Sequence, residues 1–339
     1  MTATHADHRL KIFATCPPSE TSSTEAYLRQ TQQVARWSED AGCEGILVYT
    51  DNRQVDPWLV SQAIIAATRR LCPLVAIQPV YMHPYSVAKM ISSLAFLHGR
   101  RVHLNMVAGG FKNDLEALND RTPHDERYAR LGEYTFIIQQ LLQSAEALSF
   151  TGRYYEVHNL RLAPALPPEL LPSVLLSGSS EAGMEAARRL GATPIEYPKP
   201  FAEYSPDPGE VPRGIRIGII ARDTDANAWS IAHTRFPEDR RGQLTHELAM
   251  KASDSSWHQQ LSERGRNRSE EPSPYWLTPF QNYKTFCPYL VGSYVRLADA
   301  VSCYVNAGYR TFILDVPPNA EEMRHIGIVF GLVAGAVAA

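Results

Sequence analysis

The feature that most constrains this chain is a repeated alternation between short apolar runs and segments with helical periodicity. The apolar runs are KIFATC (11–16), CEGILVYT (43–50), PLVAIQP, RVHLNMVAG, SVLLSGSS (173–180), TPIEYP, GIRIGIIA (214–221) and TFILDVP (311–317). Apolar runs without polar alternation are typical of parallel strands that are buried on both faces. Eight such strands, most of them followed by a helix, predict an α/β fold, a (β/α)8 TIM barrel, in preference to a doubly wound sheet. We predict that residues 1–339 form this single domain.

Three segments are longer than ordinary connections between strands and helices. They are residues 110–123 after strand four, a predicted hairpin at 148–166 before strand five, and residues 237–288 after strand seven. Loops that leave the carboxyl ends of barrel strands build the active site, so the first and third insertions are expected to contribute to it. Because residues 262–274 are rich in Arg, Ser and Pro, we predict that 237–288 is a mobile lid.

Composition narrows the possible functions. The net charge is -3 and no block of like charges occurs, so nothing indicates a nucleic-acid or acidic-membrane partner. The N-terminus has no apolar core of signal-peptide length and the apolar end 326–339 is too short to span a bilayer, so we expect a cytoplasmic protein. The five cysteines form no CxxC pair and no ligand spacing with histidine, so reduced thiols and no structural metal are expected.

Two motifs indicate a phosphate site on the barrel rim. SGSSEAG (177–183) combines small residues, two hydroxyls and a helix start, which suits an anion, although a serine-capped helix has the same sequence. HDERY (124–128) places His124 and Tyr128 on one helical face, although alone it fits an exposed turn with an Arg127 ion pair. Together they favour a phosphorylated cofactor, and the glycines that follow the strand containing Asn105 allow a flat ring to approach.

The order of these motifs is characteristic. With NMVAGG, HDERY, the hairpin FTGRYYEV and SGSSEAG in succession, the chain resembles the bacterial luciferase-like flavin-dependent monooxygenases, nearest their alkanesulfonate monooxygenase branch. The resemblance runs from IFATC to AGYRTFILDVPP. It implies reduced FMN (FMNH2) from a separate NAD(P)H:flavin reductase, O2 as co-substrate activated as a flavin C4a-peroxide, and a small organic substrate. We also expect a homodimer or homotetramer.

The same resemblance assigns cofactor-binding residues by matching position. It implies that the FMN phosphate is bound by one group and the flavin ring by another. The residues implied to bind the phosphate are His124, Tyr128, Ser179 and Ser180. Those implied to lie along the flavin ring are Thr50, Asn105 and Ala108.

Several positions depart from the alkanesulfonate branch. Arg216 matches its arginine, but Gly218 stands in the place of its active-site histidine. Gln54 replaces a cysteine, Pro317 a tyrosine and Cys16 the histidine after strand one. Because the sulfonate-specific set is largely missing, we do not predict desulfonation. Gly218 lies on the same face of its strand as Arg216, so the space beside it predicts a bulkier substrate.

Four residues are candidates for catalysis. Arg216 can hold a substrate anion or stabilise a reduced oxygen species, with a buried ion pair as the alternative. His83 can act as an acid or base, or it is a structural residue of the rim. Cys16 is expected to point into the site, as a small filler rather than a reactive thiol. Lys284 lies near the family's mobile-loop arginine, although a solvated lysine explains it more simply.

Two other functions remain open. The first is an F420-dependent oxidoreductase on the same fold, which transfers hydride without O2. The second is a non-catalytic flavoprotein homologue, which the loss of the sulfonate-specific residues would allow.

Overall fold

Parallel strands form a closed barrel in the computed structural model of the chain, which describes residues 9–20, 23–109, 111–207, 212–251, 261–262 and 273–337. The strands are β1 (Lys11–Thr15), β2 (Gly45–Val48), β3 (Cys72–Ile77), β4 (His103–Val107), β5 (Leu148–Thr151), β6 (Glu156–Leu160), β7 (Val174–Ser177), β8 (Thr193–Glu196), β9 (Arg213–Arg222), β10 (Tyr275–Trp276), β11 (Tyr289–Ser293) and β12 (Tyr309–Leu314). The barrel consists of β1 to β4, β7 to β9 and β12. It closes because β12 pairs in parallel with β1, and β8 pairs with β9. The predicted (β/α)8 barrel is confirmed, and each predicted run overlaps one barrel strand.

The helices begin and end where local chemistry dictates. They are α1 (Thr24–Asp40), α2 (Pro57–Ala67), α3 (Pro84–His98), α4 (Lys112–Ala117), α5 (His124–Gln143), α6 (Glu181–Leu190), α7 (Asp225–Arg235), α8 (Arg240–Lys251), α9 (Thr278–Gln281), α10 (Tyr294–Asn306) and α11 (Ala320–Val337). Asp56 caps α2 by accepting from Trp58 N at 2.9 Å, directly before Pro57. Gly99 and Gly191 end α3 and α6 in the left-handed conformation. These starts and stops are visible in the sequence itself.

The barrel interior is filled by side chains from alternate positions along the strands. The buried apolar layer consists of Phe13, Leu47, Leu74, Ala76, Leu175, Ile195 and Ile313. Because side chains alternate along a strand, residues two positions further on face the same interior, nearer the carboxyl ends of the strands. This second layer, the mouth layer, contains Tyr49, Ser177, Tyr197, Arg216 and Asp315. It lies where barrel enzymes carry their active sites.

The three insertions differ in structure. The segment after β4 contains α4, and the predicted hairpin is formed by β5 and β6. Glu133 of α5 anchors the hairpin turn by accepting from the backbone N–H groups of Arg153, Tyr154 and Tyr155 at 2.8 to 3.1 Å. The third insertion contains α8, α9 and β10, and it is followed directly by the strand β11, which the sequence analysis did not recognise. Residues 252–260 and 263–272 lie outside the described residues, so the predicted lid stays a prediction.

The apolar C-terminal segment packs against the barrel through α11. Met323, Ile326, Val329, Phe330 and Val333 of this helix are buried in the layer between helices and strands. Within the described ranges, no helix combines the length and the apolar content that crossing a bilayer requires.

Candidate functional site

The turn between β7 and α6 places two serines at the start of a helix. Gly178 has φ +155°, a region open to glycine, and Ser180 caps α6 by accepting from Gly183 N at 3.2 Å. Ser179 Oγ is buried and has no hydrogen-bond partner within the described part of the chain. An unsatisfied buried hydroxyl costs about 1–3 kcal/mol. The turn therefore fits a ligand that accepts hydrogen bonds.

Helix α5 brings an aromatic pair to this turn. A Cβ on Gly178 would lie 2.3 Å from Tyr128 Oη, so the glycine allows the phenol to reach the turn. Burial raises the pKa of Tyr128 and a hydrogen bond with Ser180 opposes the shift, so the phenol stays protonated at neutral pH. The His124 ring packs against Tyr128 with centroids 5.3 Å apart. The structure thus brings together the four residues that the sequence assigned to a phosphate, His124, Tyr128, Ser179 and Ser180.

The three residues assigned to the flavin ring occupy different positions at the barrel mouth. Asn105 is buried, and its Oδ1 accepts from Ser177 Oγ at 2.8 Å. Thr50 follows β2, and its carbonyl accepts from Gln78 Nε2 at 3.2 Å. Ala108 packs in the buried cluster between β4 and α5 that also contains Tyr128. Asn105 and Thr50 therefore lie at the mouth, whereas the Ala108 side chain faces the helix layer.

A cavity of about 270 Å³ lies beside Thr50, at the ends of β2 and β3. Its wall includes Trp58, which is 3% exposed and whose Nε1 has no partner among the residues that the structure describes. Gln54, which replaces the cysteine of the alkanesulfonate branch, also lines the cavity. Its Oε1 accepts from Ser19 N at 2.7 Å and Ser19 Oγ at 3.0 Å, which ties the loop after β1 to this wall. The cavity has room and an unused donor for part of a ligand.

Arg216 lies in the mouth layer and is held by Tyr49. Its Nη2 donates to Tyr49 Oη, and its Cζ is 5.2 Å from the Tyr49 ring centroid. Its buried Nε has no hydrogen-bond partner in the ranges that the structure describes. Burial alone would lower the pKa of the guanidinium, but the acidic groups around it, Tyr49 first, raise that pKa. Burial raises the pKa of Tyr49 to about 12, so at neutral pH it remains a phenol.

The Arg216–Tyr49 pair therefore presents two donors, Arg216 Nε–H and the Tyr49 hydroxyl. Among the described residues Arg216 forms no ion pair, so the alternative of a buried ion pair is not what the geometry shows. Sequence reasoning missed Tyr49. The signal that could have found it is its position two residues beyond the inward-facing Leu47, at the carboxyl end of β2.

The space predicted beside Arg216 is filled, so that prediction is wrong. A Cβ on Gly218 would lie 2.3 Å from two ring carbons of Tyr289. Tyr289 is paired with Gly218 in the parallel register of β11 and β9, and its Oη donates to Asp315 Oδ2 at 2.7 Å. The glycine admits a ring from a strand that the sequence analysis had not recognised. The missing side chain at Gly218 therefore gives no reason to expect a bulkier substrate.

Cys16 lies on the outer face of the barrel, so the expectation that it points into the site is also wrong. Its Sγ is 3.7 Å from Thr31 Oγ1 of α1, and it belongs to the cluster between the strands and the helices. Because Phe13 faces the interior, alternation directs Thr15 inward and Cys16 outward. Burial raises the pKa of the Cys16 thiol to about 11, which makes it unreactive at neutral pH.

His83 and Lys284 already have structural partners. His83 is exposed and caps α3, since its Nδ1 accepts from Tyr85 N at 3.2 Å. Lys284 is half-exposed and pairs with Asp239 at 2.8 Å within the third insertion. His83 thus has a structural contact at the rim, the alternative that the sequence analysis gave, and Lys284 is an ion-paired lysine of the insertion.

Comparison with known proteins identifies a matching family and a similar protein. Residues 9–311 match the family described as luciferase-like monooxygenase. The chain is 34% identical over 311 residues to 4-(gamma-L-glutamylamino)butanoyl-[BtrI acyl-carrier protein] monooxygenase BtrO of Niallia circulans, which covers 89% of this chain and 91% of that protein.

Solved structures share the fold at low identity. EDTA monooxygenase (EmoA) from Chelativorans sp. BNC1 is 15% identical with a TM-score of 0.72, covering 97% of this chain and 95% of that chain. An F420-dependent secondary alcohol dehydrogenase is 15% identical with a TM-score of 0.65, covering 96% and 99%. Since both kinds of enzyme have this barrel, the fold alone does not select the cofactor.

Proposed function

The chain belongs to the luciferase-like monooxygenase family, and on that basis we propose that it is a two-component, FMNH2-dependent monooxygenase acting on an acyl chain carried by an acyl carrier protein. One atom of O2 enters the substrate and the other leaves as water. A separate NAD(P)H:flavin reductase supplies the reduced flavin. The carrier-bound substrate is inferred from the relative, whose name states that it acts on a BtrI-bound acyl group.

The observation that carries the flavin assignment is the set of donors at the start of α6. Ser179 Oγ has no hydrogen-bond partner among the described residues, and a phosphate oxygen bound there would accept from it. The first N–H groups of α6 and the protonated Tyr128 hydroxyl add further donors. A phosphate group would therefore satisfy polar atoms that the fold leaves unused. Reduced FMN, when bound, supplies the two electrons and activates O2.

Arg216 and Tyr49 supply the polar side of the barrel interior. A guanidinium stays charged at any working pH, so Arg216 can stabilise negative charge on oxygen or hold a substrate carbonyl. Tyr49 fixes the guanidinium and, as a phenol, retains its own proton to donate. The apolar layer beneath them, which includes Leu47 and Ile313, excludes water from this end of the site.

The test is turnover with a carrier-like thioester. Purified protein is given FMNH2 from a flavin reductase, isotopically labelled O2 and the pantetheine thioester of 4-(gamma-L-glutamylamino)butanoate. We expect an oxygenated thioester that contains one labelled oxygen atom, and no product without FMNH2. Binding of FMNH2 without oxygenation of this thioester or of its BtrI-bound form would refute the substrate proposal.

Assays of the same purified protein distinguish the proposed function from the two other functions. An F420-dependent oxidoreductase would bind reduced F420 and convert substrate without O2, whereas we expect FMNH2 to bind and reduced F420 not to support turnover. A non-catalytic homologue would bind flavin and form no product with any acyl thioester.

A further inference from the structure

One face of helix α8 packs closely against the rest of the protein. The His246 ring packs on Phe280 with centroids 4.6 Å apart and on Tyr283 at 6.1 Å. Gly242 lies so close to the backbone of Asn282 that a Cβ would be 2.2 Å from its carbonyl oxygen. This face is therefore packed against residues 278–283, and the orientation of the helix is fixed.

The opposite face of α8 is exposed and combines apolar and basic side chains. Leu244 and Leu248, one turn apart, are 55% and 67% exposed. Arg240 and Arg241 are exposed in the turn before them, and among the described residues neither guanidinium forms an ion pair. One acidic side chain, Glu247, lies at the edge of this face. An isolated exposed leucine is ordinary, but two leucines beside two unpaired arginines on one helix indicate a contact surface.

This surface lies at the end of the barrel that carries the site. The insertion follows α7, the helix that comes after β9, the strand of Arg216. Ring contacts connect its packed face to the loop after β4, from Tyr283 to Phe286 at 6.2 Å and from Phe286 to Phe111 at 6.5 Å. A protein bound to the exposed face of α8 would therefore sit beside the barrel mouth.

We propose that Arg240, Arg241, Leu244 and Leu248, the α8 docking face, bind the acyl carrier protein that delivers the substrate. This inference rests on the proposed function. Acyl carrier proteins are small, acidic helical proteins, so their carboxylates complement the arginines while the leucines pack on apolar side chains between them. The substrate arrives on a long flexible arm, which requires the carrier to dock at the mouth. A second copy of this chain fits less well, because a two-fold contact would set the arginine pair against itself.

The experiment measures carrier binding apart from turnover. Surface-labelled holo-BtrI is titrated with wild type, with Arg240→Gln/Arg241→Gln, and with Leu244→Gln/Leu248→Gln, and Kd is read by fluorescence anisotropy. The matched control is Arg188→Gln/Arg189→Gln, two exposed arginines in the last turn of α6, at the opposite end of the barrel. We expect each α8 variant to raise Kd at least about fivefold and the control to change it less than about twofold.

Added salt should weaken binding by wild type more than binding by the arginine variant, because it screens the charges that the variant lacks. Melting temperature and FMNH2 affinity should be unchanged in all variants. The docking-face proposal is wrong if wild type binds holo-BtrI no better than the arginine variant does. It is also wrong if the control variant shows an equal increase in Kd.

Failure of the docking face is distinguishable from failure of the proposed function. If the pantetheine thioester is oxygenated while the α8 variants bind the carrier as wild type does, the function stands and the docking face is wrong. If the α8 variants lose carrier binding while no thioester is oxygenated, the docking face stands and the proposed reaction is wrong.

Discussion

Replacing Gly218 by alanine tests how Tyr289 closes one side of the barrel mouth. The added Cβ would lie 2.3 Å from two ring carbons, whereas ordinary contacts begin at 3.4 Å, so the ring or the strand must move by about 1 Å. Such a movement of the ring would stretch the 2.7 Å hydrogen bond from Tyr289 Oη to Asp315 beyond bonding range. Overpacking costs about 1–3 kcal/mol and a hydrogen bond to a charged carboxylate about 1.5–3 kcal/mol. We therefore expect Gly218→Ala to lower the free energy of unfolding by roughly 3–5 kcal/mol.

A double-mutant cycle with Tyr289→Ala isolates this contact. Without the ring, alanine at position 218 meets no obstacle there, so its cost should fall below about 1 kcal/mol, giving a coupling energy of at least about 2 kcal/mol. The assay is thermal or denaturant unfolding of the four proteins, followed by circular dichroism. Gly327→Ala on α11 is the control, because its Cβ would meet nothing within 4 Å and alanine is the better helix former. Additive losses from Gly218→Ala and Tyr289→Ala would refute the reasoning.

Three further predictions concern the cofactor, the reaction and stability. Tyr128→Phe and Ser179→Ala should each weaken FMNH2 binding by about 1.5–3 kcal/mol in a fluorescence titration, and unchanged affinity in both would remove the phosphate assignment. Arg216→Met should leave FMNH2 affinity and melting temperature unchanged while product formed per FMNH2 oxidised falls at least about tenfold, or about 1.4 kcal/mol; full coupling would make Arg216 structural. Burial favours the neutral form of Glu39, but the N–H groups of residues 69–71 donate to its carboxylate and lower its pKa below the usual 4.5. The resulting stability is complete above about pH 4.5 and is lost as pH falls through the lower folded-state pKa, so the deficit of Glu39→Gln in urea unfolding should shrink in acid; a constant deficit would contradict this.

The barrel could be predicted because its signals are local. Apolar runs mark the strands, and Asp56 with Pro57 or a glycine such as Gly191 marks where a helix begins or ends. The strand β11 carried the same kind of run, YLVGS, yet it was missed. Its partner is the carboxyl half of β9, far away in sequence, and nothing in the local pattern reveals a pairing across so long an insertion.

The proximity of the two motifs HDERY and SGSSEAG could also be predicted, because each of them sits at a helix start that follows a barrel strand. Closure of the barrel places β4 beside β7, and the two helix starts then meet. The prediction for Cys16 failed by a single position. Since side chains alternate along a strand, a shift of one residue exchanges the interior for the helix layer, and Thr15 takes the inward place.

On the polar side of the barrel interior only Arg216 was identified from the sequence, because its neighbours come from strands that only the fold brings together. Tyr49 follows β2 and is bound by Arg216 of β9, whereas Tyr289 opens β11 and pairs with Gly218 of β9. Tyr289 fills the place above Gly218 where the alkanesulfonate branch has a histidine, so a proton-accepting side chain is exchanged for a phenol bound to Asp315. Arg216 and Tyr49 present two donors, the guanidinium Nε–H and the phenol hydroxyl. A charged N–H donor beside a hydroxyl donor can bind a neutral carbonyl as well as an anion. This is why the site is compatible with the thioester that we propose, although it lacks most of the residues that characterise sulfonate oxidation.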